Sequence, residues 1–91
     1  MVQYTVKPEF AQTNRSNISN VMAELRQIND AGIKYSTFIL EDGQTFIHFA
    51  MFRDDDGQKK LNELESFKKF GAELKASVPL APPKPSALSL V

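Results

Sequence analysis

His48 is the residue of this 91-residue sequence whose ordinary pKa lies closest to neutrality, and it is the only histidine. The sequence has no cysteine, so it offers no thiolate nucleophile and no disulfide. Acid-base chemistry near neutral pH therefore passes through His48. A general base also needs a neighbour that fixes its tautomer, and we expect Tyr35 and Thr37 to supply hydroxyls for that purpose. His48 and Tyr35 are thus the predicted catalytic residues.

A β-hairpin is predicted to bring these side chains together. Residues 33–40 and 44–53 are rich in β-branched and aromatic side chains, and Asp42-Gly43 between them predicts a two-residue type I′ turn. The resulting register pairs Thr37 with His48 and Tyr35 with residue 50. One face of the hairpin then carries eight side chains: Ile33, Tyr35, Thr37, Ile39, Phe46, His48, Ala50 and Phe52.

This His48 face is the predicted binding surface. We expect Thr37, Phe46 and Phe52 to contact a substrate, with His48 as its base or hydrogen-bond anchor. The alternative is a structural histidine whose ring bonds to a hydroxyl or a carbonyl within an interface. The register alone leaves open whether the face meets the chain's own helices or a partner's sheet.

The remaining elements follow from periodicity. A strand is predicted over residues 2–6, a helix over 13–30 ending at Gly32, and a last strand over 86–91 after an extended proline-rich connector. After a turn at residues 54–57, five apolar residues recur at helical spacing and predict a helical region with a bend near Glu65. They are Leu61, Leu64, Phe67, Phe70 and Leu74. We therefore predict one α+β domain over residues 1–91, with the ferredoxin-like βαββαβ order and an antiparallel sheet.

Both faces of the predicted hairpin are mainly apolar. The face opposite His48 includes Phe38, Leu40, Ile47, Phe49 and Met51. An antiparallel sheet covered by one layer of helices normally turns polar side chains toward water. A second apolar face therefore predicts either a homodimer packed sheet to sheet or a ligand-filled cleft.

Charge and motifs argue against several other functions. Eleven basic and eleven acidic groups give a net charge of zero, which disfavours nucleic acid and membrane surfaces as partners. The hairpin does not match an RNA-binding signature, because Asp42 stands in place of a basic residue and Gln44 stands in place of a base-stacking aromatic ring. A calcium loop fails because Phe52 and Lys60 occupy ligand positions. We expect no metal and no cofactor, and a cytoplasmic location.

The sequence resembles the antibiotic biosynthesis monooxygenase-like family of dimeric α+β barrels. The resemblance lies in residues 4–8, in residues 38–48 of the hairpin, and in Leu61, Leu64, Phe67, Lys68 and Phe70. It implies a homodimer with a pocket between each sheet and its helices. Some members oxidise quinols or polycyclic aromatics with molecular oxygen and without metal or flavin, and relatives degrade haem. This chain has no Trp, and its second helical region has no His to ligate haem iron.

Two functions follow as hypotheses. In the first, a homodimer binds a small apolar or aromatic molecule and acts as a cofactor-independent monooxygenase on a quinol or polycyclic aromatic. In the second, the same fold is a non-catalytic ligand-binding or assembly module.

Overall fold

Four strands and three α-helices make up the part of the chain that the computed structural model describes, residues 1–89 and 91. In chain order they are β1 (Val2–Thr5), α1 (Ala11–Ile28), β2 (Ile33–Ile39), β3 (Thr45–Phe52), α2 (Asp55–Glu63), α3 (Glu65–Ala76) and β4 (Ala81–Pro85). The sheet has the order β2-β3-β1-β4, and all three pairings are antiparallel. The predicted α+β, ferredoxin-like arrangement is confirmed.

The hairpin has the predicted register but not the predicted turn. Thr37 faces His48 and Tyr35 faces Ala50 across β2 and β3. A type I′ turn needs positive φ at both central residues, and only Gly43, at 71°, has it. The Asp42 carboxylate instead accepts hydrogen bonds from the backbone N–H groups of Gln44 and Thr45, each at 2.8 Å. These bonds hold an Asx-type turn, which explains why the predicted turn type is wrong.

Helix α1 begins and ends earlier than predicted. A short 3-10 turn at Pro8–Phe10 leads directly into it, so it starts at Ala11 rather than Thr13. At the other end Asn29 takes the left-handed conformation with φ of 51°. Asparagine tolerates that conformation, so the helix terminates there and the prediction that Gly32 ends it is wrong.

The predicted bend near residue 65 is confirmed. Leu64 has extended backbone angles and separates α2 from α3. Helix α2 begins at Asp55, inside the segment predicted as a turn, because the Asp54 side chain caps it by accepting from the Gly57 N–H at 3.2 Å. This break lets α3 follow its own direction across the sheet.

The last strand lies earlier than predicted. Residues 81–85, expected to be a connector, pair with β1 as the edge strand β4. Proline is tolerated there because an edge strand has one side without a ladder partner. Of the predicted strand over 86–91, residues 86–89 and 91 are not in a strand, and residue 90 lies outside the described residues. Ser86 is nevertheless tied to Met1 by two backbone hydrogen bonds of 2.7 and 2.8 Å.

The two faces of the sheet have different surroundings. The face that carries His48 lies under the helices, with Tyr4, Val6, Val21 and Phe46 almost completely buried in the core. The His48 face therefore packs against the chain's own helices, a point that the hairpin register alone left open. On the opposite face Phe38 is 54% exposed and Met51 is 64% exposed. The second apolar face is therefore left exposed by the part of the chain that the structure describes.

Candidate active site

A cavity of about 440 Å³ lies between α3 and the sheet. Helix α3 contributes one stripe of side chains, because its lining positions recur at helical spacing. The sheet contributes residues from all four strands, and Pro79 before β4 adds one more. The lining residues are Val2, Tyr4, Tyr35, His48, Phe67, Phe70, Gly71, Leu74, Lys75, Pro79, Pro82 and Pro83. Most of them are apolar, so the few polar groups mark where a ligand is oriented.

A hydrogen-bonded chain of four side chains forms the polar part of the site. Asn14 Nδ2 donates to the Tyr4 hydroxyl at 2.9 Å, and that hydroxyl lies 2.7 Å from His48 Nε2. On the other side of the imidazole, Nδ1 lies 2.6 Å from the Tyr35 hydroxyl and 3.3 Å from Thr37 Oγ1. The chain therefore runs from α1 through β1 and β3 to β2.

The direction of these hydrogen bonds follows from the Tyr4 hydroxyl. It already accepts from Asn14, and among its partners in the described residues only His48 Nε2 is able to accept its hydrogen. Nε2 is then unprotonated, so Nδ1 of the neutral ring carries the hydrogen and donates to the Tyr35 oxygen. The Tyr35 O–H is left without a partner among residues 1–89 and 91. It is the natural donor to a bound molecule.

Burial keeps the three titratable side chains of this hydrogen-bonded chain, Tyr4, His48 and Tyr35, neutral. Desolvation lowers the pKa of His48 to about 4. Desolvation also raises the pKa of Tyr35, and it raises that of Tyr4 against the opposing hydrogen bond from Asn14. The site at neutral pH is therefore an uncharged imidazole between two uncharged phenols. It suits a neutral or weakly acidic polar group on a ligand.

The structure brings together some of the predicted site residues and not others. His48 and Tyr35 both line the cavity. Thr37 reaches the same imidazole nitrogen but lies outside the lining. Phe46 stacks on Tyr4 with ring centroids 5.6 Å apart, and Phe52 packs at the core edge near Gly57. Neither phenylalanine lines the cavity, so Phe67 and Phe70 of α3 supply its aromatic walls instead.

Two members of the hydrogen-bonded chain, Tyr4 and Asn14, were not predicted from the sequence. Tyr4 lies within the strand predicted over residues 2–6, on the same face as Val2. Asn14 is completely buried, four residues before Ile18 on the apolar stripe of α1. A polar residue at a stripe position is the signal for a buried hydrogen bond.

The described residues hold no cluster of three or more His, Asp or Glu side chains suited to a metal ion. His48 is the one such side chain in the cavity lining, and both of its ring nitrogens have hydroxyl partners.

Two solved structures have the same architecture. One is a crystal structure of an antibiotic biosynthesis monooxygenase, with a TM-score of 0.81 and 15% sequence identity over 99% of this chain and 94% of that one. The other is a conserved protein from Methanosarcina mazei Go1, with a TM-score of 0.72 and 16% identity over 91% of this chain and 81% of that one. No protein-family model matches the sequence, and no curated protein matches it significantly.

The fold and site define a class of protein: a ferredoxin-like α+β domain with an apolar cavity between sheet and helix. Over nearly its whole length the chain shares the fold of an antibiotic biosynthesis monooxygenase, as the resemblance implied. At these identities the likeness concerns the fold. None of the helices in the described residues is long and apolar enough to span a bilayer.

Proposed function

We propose that the cavity binds a small aromatic molecule that carries a hydroxyl or keto group. The observation that carries this proposal is an apolar cavity with one hydroxyl–imidazole–hydroxyl chain, whose free O–H belongs to Tyr35. Its volume of about 440 Å³ falls within the usual range for small-molecule sites, roughly 300 to 1,000 Å³. Phe67 and Phe70, whose ring centroids lie 5.9 Å apart, offer aromatic surface to a flat ligand.

We further propose that the ligand is a quinol or an anthrone-like polycyclic aromatic and that the protein promotes its oxidation by molecular oxygen without metal or flavin. This transfer uses the reverse direction of the hydrogen-bonded chain, in which Nε2 of His48 carries the ring hydrogen and Nδ1 accepts from the Tyr35 O–H. The substrate then passes its acidic proton to the Tyr35 oxygen as Tyr35 passes its own to Nδ1. The resulting electron-rich anion is oxidised by O₂. For an anthrone, a ring CH₂ group becomes a carbonyl with one oxygen atom, and its two hydrogens leave with the other as water.

The buried end of the chain supports this proton transfer. With the ring hydrogen of His48 on Nε2, Tyr4 must accept from Nε2 and turn its own hydrogen elsewhere. Asn14 Oδ1 is a buried oxygen without a donor among the described residues. A half-turn of the Asn14 amide places this oxygen against Tyr4 as an acceptor. The same four residues are thus able to satisfy both directions of the chain.

We also propose that the protein is a homodimer whose two sheets pack through the uncovered face. Phe38 and Phe49 meet edge to face there, with ring centroids 5.9 Å apart. Beside them Met51 and Leu40 are exposed. Contiguous apolar surface of this kind is typical of protein–protein contacts. Packing two copies would supply the second layer that the sheet lacks.

A second candidate function is binding without catalysis. The observation that favours it is that burial lowers the pKa of His48 to about 4, which makes the imidazole a weak base. Both ring nitrogens already have partners, so the chain is also a complete structural network. In this version Tyr35 only orients the ligand.

Oxygen uptake in the presence of anthrone or a naphthohydroquinone separates the two functions. The full chain, a Tyr35→Phe variant and a Gln58→Ala control on the exposed surface of α2 are compared with buffer alone, which measures spontaneous oxidation. The oxygenase proposal expects uptake above buffer in the parent and the control, and loss in Tyr35→Phe. Binding by the parent without extra uptake supports the second function. Absence of both binding and uptake contradicts the proposal as a whole.

A further inference from the structure

The cavity is elongated, and its two ends have different chemistry. Helix α3 lines it from Phe67 to Lys75, which is a rise of eight residue steps or roughly 12 Å at 1.5 Å per step. Tyr35 packs against the edge of Phe67, with ring centroids 6.5 Å apart, so the hydroxyl end lies at the start of this run. Lys75 lies at the other end.

The sheet is crossed in the same direction. Tyr35 on β2 meets Phe67, whereas His48 on β3 meets Phe70, about one turn further along α3, with ring centroids 6.5 and 5.3 Å apart. The cavity crosses from Tyr35 on β2, through His48 on β3 and Tyr4 on β1, to Pro82 and Pro83 on β4. Three strand spacings of about 4.8 Å make roughly 14 Å. The hydroxyl end and the lysine end are therefore separated by the length of two or three fused rings.

The cavity lining contains one lysine, Lys75, and no Asp, Glu or Arg. Within residues 1–89 and 91, no carboxylate lies within 4.0 Å of its ammonium group, whereas Lys68 and Lys69 on the same helix pair with Glu65 and Glu73. A lysine at an apolar rim lays its methylene groups along the surface and keeps its charge at the edge. The charge at this end of the cavity is thus positive and without a protein counter-ion.

We propose that the natural ligand is an elongated aromatic acid, with its hydroxyl or keto group at Tyr35 and a carboxylate at Lys75. This inference rests on the proposed function, because it specifies the class of ligand that the same cavity binds. The Tyr35 end recognises the group that reacts, and the Lys75 end selects an anion. Ligands of the same ring system without the carboxylate bind in the same place but more weakly.

Three probes test this assignment by titration calorimetry. The first is a hydroxynaphthoate whose hydroxyl and carboxylate lie at opposite ends of its two rings; the second is the matching carboxamide, which is neutral and nearly isosteric; the third is the parent naphthol. An exposed ion pair is worth up to about 1 kcal/mol, so the acid should bind roughly threefold to fivefold more tightly than the amide. Higher salt should shrink that ratio.

Variants show where the preference originates. Lys75→Gln should bring the ratio of acid to amide affinity to about one, and Lys75→Glu should reverse it. Lys68→Gln removes the same charge from an exposed position outside the cavity lining and should keep the ratio. If naphthol and amide bind but the acid gains nothing from Lys75, this inference is wrong and the proposed function stands. If none of the three probes binds, the proposed function itself fails.

Discussion

The Tyr35 hydroxyl oxygen lies 2.6 Å from Nδ1 of His48, although the two residues stand on different strands and different rows of the sheet. Both residues line the cavity, and the other nitrogen of His48 is occupied by the buried Tyr4 hydroxyl. Tyr35 is therefore the group through which a ligand and His48 are connected. The consequences for binding and for stability can be separated by two Tyr→Phe substitutions.

Tyr35→Phe removes the one hydroxyl of the chain that is free to meet a ligand. We expect the affinity for a naphthol to fall roughly threefold to tenfold, the equivalent of one hydrogen bond between neutral groups, while naphthalene binds as before. The free energy of unfolding should change by less than about 1 kcal/mol, because Thr37 Oγ1 still lies 3.3 Å from Nδ1. Calorimetry and urea unfolding measure the two effects. An equal loss for naphthol and naphthalene would show that Tyr35 only shapes the cavity.

Tyr4→Phe should mainly lower the stability of the protein, in contrast to Tyr35→Phe. Tyr4 is 2% exposed, and its hydroxyl serves both Asn14 Nδ2 and His48 Nε2. Removing it leaves two buried polar atoms without a partner, so we expect a loss of about 2 to 4 kcal/mol in the free energy of unfolding. Urea unfolding followed by circular dichroism measures it, with Tyr35→Phe as the matched control. A loss no larger than that of Tyr35→Phe would contradict the hydrogen-bonded chain described above.

The hairpin shows which part of this site is predictable from sequence. Alternation places Tyr35, Thr37 and His48 on one face, and a slip of one residue would move His48 to the other face, so the register is strongly specified. The alternation of side chains does not specify the turn type, because the Asp42 side chain offers the backbone a local alternative to the type I′ geometry.

The hydrogen-bond partner of Asn14 and the position of β4 are not predictable from the sequence pattern. The spacing of residues in α1 does not identify the partner of Asn14, because Tyr4 is specified only by how α1 crosses the sheet. The prolines of β4 usually argue against a strand, and they are tolerated here because β4 lies at the sheet edge. Both features depend on tertiary contacts between distant segments, which periodicity does not contain.

The proposed homodimer predicts a clear effect of charge on the uncovered face. Met51 is 64% exposed and Phe38 is 54% exposed, so neither contributes much to the core of the single chain. In a packed dimer, Met51→Lys buries an unpaired ammonium group, which is strongly unfavourable. We expect the parent to sediment as a dimer at micromolar concentration and Met51→Lys as a monomer with an unchanged circular dichroism spectrum.

The control for this substitution is Gln58→Lys, which adds the same charge on the exposed surface of α2. It should remain dimeric. A parent that sediments as a monomer would falsify the sheet-to-sheet dimer, and a dimeric Met51→Lys variant would place the contact on another surface.

His48 should also make the stability of the protein depend on pH. Burial lowers the pKa of His48 from an ordinary value of 6.5 to about 4. Between these two values the unfolded chain binds a proton that the folded chain does not, so acid favours unfolding. The contribution is fully present above pH 6.5 and is lost as the pH falls toward 4. The pKa difference corresponds to about 3 kcal/mol.

Urea unfolding at a series of pH values from 4 to 7 measures this dependence, and a His48→Gln variant serves as the comparison. Glutamine keeps a donor and an acceptor for Tyr4 and Tyr35 but does not titrate in this range, so its curve should be flatter by the His48 contribution. The same titration can be followed at the ring itself by NMR. A His48 that titrates near 6.5 in the folded protein would mean that the imidazole is not desolvated, and the neutral hydroxyl–imidazole–hydroxyl chain would then be wrong.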